Sequence, residues 1–150
     1  MQLSVGEQAP DFEIFNHDGQ KTKLSQFLGQ KVALYFYPED DSPTCNVQAC
    51  NLRDNHQELL KAGYTVLGVS PDTPESHRKF IQKFALPFTL LSDPNKDVMT
   101  LYGTWAEKKM YGRTYIGVHR NTFLIDERGI ISRIILKVRS KEHHKQILAQ

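Results

Sequence analysis

Lys31-Val-Ala-Leu-Tyr-Phe-Tyr-Pro38 decides how the rest of the chain must be arranged. Its β-branched, aliphatic and aromatic residues run on with almost no polar interruption, the pattern of a strand covered on both faces in the middle of a parallel sheet, and Pro38 ends it. Tyr64 to Ser70 (YTVLGVS) repeats the pattern. Between the two, Val47, Cys50, Leu52, Leu59 and Leu60 fall at mostly helical spacing, so a helix is expected from about Thr44 to Lys61, with Gly63 as its stop. A strand, a helix and a strand in this order imply a right-handed parallel crossover.

Working outward, Thr73-Pro74 supplies an N-cap with proline at the first helical position, which predicts a helix to about Phe84. Phe88 to Leu91 reads as a short strand, Pro94 to Tyr102 as a short helix, and Gly103 to Gly117 as a loop rich in Lys and Tyr. Asn121 to Ile125 and Ile130 to Val138 flank Asp126-Glu-Arg-Gly129, a hairpin signal with glycine placed for a left-handed backbone. A last helix is expected from Ser140. Towards the N-terminus, Asp11-Phe-Glu-Ile-Phe15 alternates into the turn signal Asp18-Gly19, and Ser25-Gln-Phe-Leu-Gly29 reads as one helical turn closed by glycine. The sum is an α/β chain with a parallel beginning and an antiparallel hairpin near its end. A thioredoxin-like architecture fits that order, as do other α/β sandwiches.

The 150 residues suit a single domain, 1–150, with one core. The net charge of +2 comes from 19 basic and 17 acidic residues mixed along the chain, so neither nucleic acid nor a membrane surface is expected as a partner. Val32 to Tyr37 is the longest apolar and aromatic run, far short of the roughly 20 residues that span a bilayer. The start Met-Gln-Leu-Ser-Val-Gly-Glu has neither the basic residues nor the apolar stretch of a signal peptide, which predicts a cytoplasmic location. In that reducing compartment two cysteines are catalytic, metal-binding or simply buried, rather than a permanent staple.

Cys45 lies in the first turn of the expected helix, where unpaired backbone N–H groups and the positive end of the helix dipole favour a thiolate. A thiolate can attack the O–O bond of a peroxide and become a sulfenic acid. By position alone such a cysteine is as readily a small buried hydrophobe. Cys50 alters that balance. On an ideal helix Cα atoms five residues apart are roughly 8.7 Å apart, whereas a disulfide needs less than about 7 Å. Bonding between Cys45 and Cys50 therefore requires the first turns to unwind. Zinc is disfavoured, because two cysteines without a paired His or Cys cluster do not complete four ligands, and the adjacent His143-His144 are expected to be solvated on different faces.

Ser42-Pro-Thr-Cys-Asn-Val-Gln-Ala-Cys50 resembles the peroxiredoxins, specifically the peroxiredoxin Q or bacterioferritin comigratory protein subgroup. The likeness extends from Gly6-Glu-Gln-Ala-Pro-Asp-Phe12 through Tyr35-Phe-Tyr-Pro38 and Cys50-Asn-Leu-Arg-Asp54 to Trp105-Ala-Glu-Lys-Lys-Met-Tyr-Gly112 and Arg120-Asn-Thr-Phe-Leu-Ile-Asp126. It implies a thioredoxin-like three-layer sandwich, with a central mixed sheet and helices on both faces. It implies a peroxidase that reduces hydrogen peroxide and organic hydroperoxides, recycled by thioredoxin or a similar dithiol protein, without metal or other cofactor, and monomeric as members of this subgroup often are.

By matching positions, Cys45 corresponds to the peroxidatic residue, Cys50 to the resolving one, Ser42 to a hydroxyl that hydrogen-bonds the peroxide, and Pro43 to a shield against water. Among seven arginines, the resemblance selects Arg120, a fixed cation able to stabilise the thiolate and the charge that spreads over the oxygens. Ser42 stands where threonine is usual, Thr44 replaces a common glycine, Asn46 a common threonine, and Gln48 a frequent glutamate. The last change removes a charge from the arginine's surroundings. The rival enzymatic reading, a thiol–disulfide oxidoreductase, lacks its C-x-x-C spacing. A redox-responsive binding module is the non-enzymatic rival, separable by whether peroxide is turned over.

Overall fold

The computed structural model describes residues 2–149. Nine strands are present among them: β1 (Glu13–Asn16), β2 (Lys21–Lys23), β3 (Lys31–Phe36), β4 (Tyr64–Ser70), β5 (Thr89–Ser92), β6 (Trp105–Met110), β7 (Arg113–Val118), β8 (Thr122–Ile125) and β9 (Ile131–Ile135). The helices are α1 (Pro43–Asp54), α2 (His56–Lys61), α3 (Pro74–Phe84), α4 (Asp97–Leu101) and α5 (His143–Leu148), with 3-10 turns at Leu24–Phe27 and Ser140–Glu142. Seven strands form one mixed sheet in the order β2-β1-β5-β4-β3-β8-β9. β3 is parallel to β4 on one side and antiparallel to β8 on the other, so it is central and covered as expected but only half-surrounded by parallel neighbours.

Alternation along the central strands divides the core into two layers, as the period of two dictates. Val32, Leu34 and Phe36 of β3 pack with Leu67, Val69, Phe123, Ile125 and the α4 residues Val98 and Met99. Ala33, Tyr35 and Tyr37 face the other way, onto Cys45, Ala49 and Leu52 of α1, Leu59 of α2, Phe80 of α3 and Ile147 of α5. Gly68, the β4 partner of Tyr35, makes this second layer possible: a Cβ there would lie 2.8 Å from Leu90 and 2.9 Å from the Tyr35 ring.

Three elements differ from the sequence reading. The helix expected over 44–61 is interrupted at Asn55, whose side-chain amide donates to the Asn51 carbonyl at 2.9 Å. Such local side-chain bonding competes with helix continuation. The expected loop 103–117 is mostly the ribbon β6–β7, turned by Tyr111 and Gly112, both at positive φ as in a type I′ hairpin turn. The helix expected over 94–102 is confined to α4, because Lys96 adopts a left-handed backbone just before it. No helix of the described residues is long and apolar enough to cross a membrane.

Candidate active site

Strand β3 ends at Phe36, and the segment Tyr37 to Ser42 carries the chain to the start of α1. Ser42 is the N-cap, with extended backbone angles, and Pro43 is the first helical residue, where its missing N–H costs nothing. Cys45 is therefore the third residue of the helix. The first intrahelical bond runs from the Asn46 N–H to the Ser42 carbonyl at 2.8 Å, which leaves the Thr44 and Cys45 amides ahead of it, at the positive end of the helix dipole. Thr44 lies within α1 and is not at positive φ, so the position makes no demand for glycine. Cys45 is 2% exposed and Cys50, about 140° beyond one full turn, is half-buried; both are free thiols.

Arg120 reaches this helix start from the segment between β7 and β8. Its Nη2 lies 3.2 Å from Cys45 Sγ, and its Nη1 donates to Gln48 Oε1 at 3.1 Å. Two backbone bonds hold the segment: His119 N–H to the Thr104 carbonyl at 2.8 Å, and Phe36 N–H to the Asn121 carbonyl at 3.0 Å. Ser42 Oγ is buried and has no hydrogen-bond partner among the described residues. Pro43 and Thr44 stand on the solvent side of the cysteine.

Behind the arginine lies a residue that the sequence reading placed in solvent. His143 is fully buried. Its Nδ1 is 3.2 Å from Gln48 Nε2, its Nε2 is 2.8 Å from Thr122 Oγ1, and the Tyr35 ring meets it edge-on at 5.6 Å between centroids. Burial pushes its pKa down to about 3, so the ring is neutral near pH 7. His144 does face another way, as adjacent helical residues must, with its Nδ1 2.9 Å from the Asn51 amide. The available cue to His143 was Gln48 itself: a buried glutamine holding an arginine with its oxygen must satisfy its nitrogen elsewhere.

A second buried histidine anchors the loop before Cys45. Asp40 accepts from the Tyr37 hydroxyl at 2.6 Å and from Ser76 Oγ at 2.8 Å, and its Oδ2 lies 2.8 Å from His77 Nδ1. Its backbone N–H donates to Asp72 at 2.7 Å. The other ring nitrogen of His77 faces the Leu91 carbonyl at 3.0 Å. Asp41, at positive φ, is held outside by Lys83 at 2.8 Å, and the hydrogen bonds from Lys83 and Asn46 keep its carboxyl below the usual range.

The structure thus brings Cys45, Arg120, Ser42 and Pro43 to one helix start. Comparison with known proteins shows the family. Residues 5–134 match the AhpC/TSA family. The putative peroxiredoxin Bcp of Haemophilus influenzae is 49% identical over 146 residues, covering 97% of this chain and 94% of its own length, and the peroxiredoxin Bcp of Escherichia coli K12 is 46% identical with the same coverage. Among solved structures, Xanthomonas campestris peroxiredoxin Q superposes with a TM-score of 0.86 at 32% identity, covering 92% of this chain and 87% of that one. A Xylella fastidiosa PrxQ mutant superposes with a TM-score of 0.90 at 27% identity, covering 99% and 94%. With its thioredoxin-like mixed sheet and a cysteine at the start of α1, the chain belongs to the AhpC/TSA family, as a thiol-dependent peroxidase of the peroxiredoxin Bcp and Q group.

Proposed function

We propose that Cys45 is the peroxidatic residue and Cys50 the resolving one, acting on hydrogen peroxide and organic hydroperoxides. The observation that carries the assignment is the Arg120 guanidinium 3.2 Å from Cys45 Sγ at a helix start. A fixed cation and the positive end of the α1 dipole both face the sulfur and the oxygens over which charge spreads in the attack. The thiolate attacks the nearer peroxide oxygen, the O–O bond breaks, and the leaving oxygen takes a proton and departs as water or alcohol. Sulfur is oxidised to sulfenic acid and the peroxide is reduced.

Ser42 Oγ, buried without a partner, is suited to donate to the peroxide, and the Thr44 and Cys45 amides to hold the oxygens as charge moves onto them. Pro43 limits water at the sulfur. Beside this helix start runs a groove of about 560 Å³ walled by Pro43, Thr44, Val47 and the 139–142 segment. It has room for the body of an organic hydroperoxide. One structural neighbour, the Xanthomonas campestris bacterioferritin comigratory protein, has alkyl peroxide reduction activity, which favours the same substrate class here.

In the second step the Cys50 thiolate attacks the sulfenic sulfur, water leaves, and a disulfide forms. Both cysteines lie within continuous α1, so this step opens the helix over 45–50. Thioredoxin or a similar dithiol protein then reduces the disulfide.

Purified protein mixed with thioredoxin, thioredoxin reductase and NADPH is expected to consume NADPH only when peroxide is added. Cys45→Ser is expected to abolish that turnover. Cys50→Ser is expected to permit one oxidation without recycling. Full cycling by the Cys45 variant would overturn the assignment.

A further inference from the structure

Position 48 carries an amide where a glutamate is frequent, and an amide has two unlike ends. Only Oε1 can face a guanidinium, because arginine offers donors alone. Gln48 Oε1 does face Arg120 Nη1, at 3.1 Å, which turns Nε2 with its hydrogens towards His143 Nδ1 at 3.2 Å. That nitrogen must present a lone pair, so the ring proton sits on Nε2 and is donated to Thr122 Oγ1 at 2.8 Å. The donations run in one sense, from the arginine through α1 and α5 to β8.

We infer that His143 is a positioning residue of the peroxidase site: its Nδ1 lone pair fixes the Gln48 amide with the oxygen towards Arg120, and so keeps the guanidinium on Cys45 Sγ. The inference rests on the reading of Cys45 as the attacking sulfur. A glutamate at 48 would hold the arginine whichever oxygen it presented; a glutamine holds it only while something enforces its orientation. With Gln48 and His143 both fully buried, water cannot take over that task. A flipped amide would set N–H groups against N–H groups at Arg120, and the cation would be displaced from the sulfur.

Three elements hold His143 in place. Thr122 of β8 orients the ring from below and Tyr35 of β3 packs its face edge-on. Asn51 of α1 ties the α5 start down, accepting from the His144 N–H at 2.9 Å and donating to the Lys141 carbonyl at the same distance. The adjacent histidines divide the work: one clamps the helix, the other directs the amide.

The test compares His143→Leu with His143→Asn in a Cys50→Ser background, where only Cys45 ionises as a thiol. Leucine offers no acceptor; asparagine places Oδ1 near the position of Nδ1. His143→Leu is expected to lower the thiolate fraction at neutral pH, read from ultraviolet absorbance, and to slow sulfenic acid formation about tenfold or more. His143→Asn is expected to recover most of both. A leucine variant as fast as its parent, or a folded asparagine variant as slow as the leucine one, overturns the inference. Should the leucine variant fail to fold, long-range proton–nitrogen correlation in the unsubstituted protein decides: a neutral Nε2–H ring from pH 5 to 8 supports the inference, and an Nδ1–H or doubly protonated ring sinks it. Absence of sulfenic acid at Cys45 in the parent would instead defeat the underlying assignment, whatever the tautomer.

Discussion

Two fully buried histidines flank the approach to Cys45, and they are wired in opposite ways. His143 sits between a donor, Gln48 Nε2, and a hydroxyl able to accept, Thr122 Oγ1, so one ring proton satisfies it. His77 sits between two acceptors, the Asp40 carboxylate and the Leu91 carbonyl, so each of its ring nitrogens faces an oxygen. The first network aims a cation at the sulfur through neutral groups. The second pins the loop that delivers the sulfur through a buried carboxylate–imidazole contact, with Asp40 only 5% and His77 0% exposed. The same residue type, at the same burial, meets an amide donor and a hydroxyl in one place and two acceptors in the other.

The largest effect is expected at His77. His77→Leu leaves the Asp40 carboxylate buried without its imidazole partner, and loss of one partner of a buried ion pair costs about 3–5 kcal/mol. Urea unfolding checks this; a loss well under 1 kcal/mol would mean that the pair is not ionised. The neutral side should show itself in acid. Folded His143 has its pKa lowered by burial to about 3, whereas the unfolded chain takes up a proton near 6.5. Below about pH 6.5 the unfolded state therefore binds the extra proton, and stability falls as the pH drops from there towards 3. The slope is at most about 1.4 kcal/mol per pH unit. His143→Asn should remove that component from the pH profile of urea unfolding. An unchanged profile would show that His143 already titrates near its ordinary value.

Residue patterns exposed the helix start, whereas neither buried histidine network was read from them. β4 and α3 were readable to the residue, because Tyr64–Ser70 is uninterrupted and the Thr73 cap, which accepts from the Ser76 N–H, fixes where α3 begins. The β6–β7 ribbon was not, since Glu107, Lys109, Met110 and Arg113 to Ile116 are exposed on both faces and the period of two never appears. At the site, the match of motifs selected Cys45, Arg120, Ser42 and Pro43, and the structure gathers them. His143 escaped because adjacent histidines near a chain end carry no periodic signal; only a contact across 95 residues, to Gln48, gives one of them a role.

The comparison sharpens when each network is converted into the other. Gln48→Glu would place a carboxylate oxygen against His143 Nδ1, which favours a proton on that nitrogen and stabilises the protonated ring. Its pKa is expected to rise from about 3 by about 1–3 pH units. Nitrogen chemical shifts followed through a pH titration would show it. Arg120 keeps an oxygen to hold in this variant, so the rate of Cys45 oxidation is expected to stay within a few-fold of the parent. No movement of His143 in the titration would break the argument from donor matching.

The reverse conversion, Asp40→Asn, is expected to have the smallest effect. Oriented with its oxygen on the Tyr37 hydroxyl, the asparagine amide would place Nδ2 where Oδ2 now lies, between Ser76 Oγ and His77 Nδ1, each 2.8 Å away. One hydrogen would point to each, and His77 would give up its Nδ1 proton, accept from the amide and still donate Nε2–H to Leu91. Every hydrogen bond survives with two directions reversed, at Ser76 Oγ and at His77 Nδ1, so the cost should be about 1 kcal/mol or less. That is far below the cost of His77→Leu, although both substitutions change one partner of the same pair. Urea unfolding and disappearance of the His77 Nδ1–H resonance measure the two halves of this expectation. Equal losses for the two variants would show that the loop before Cys45 depends on the charges themselves rather than on matched donors and acceptors.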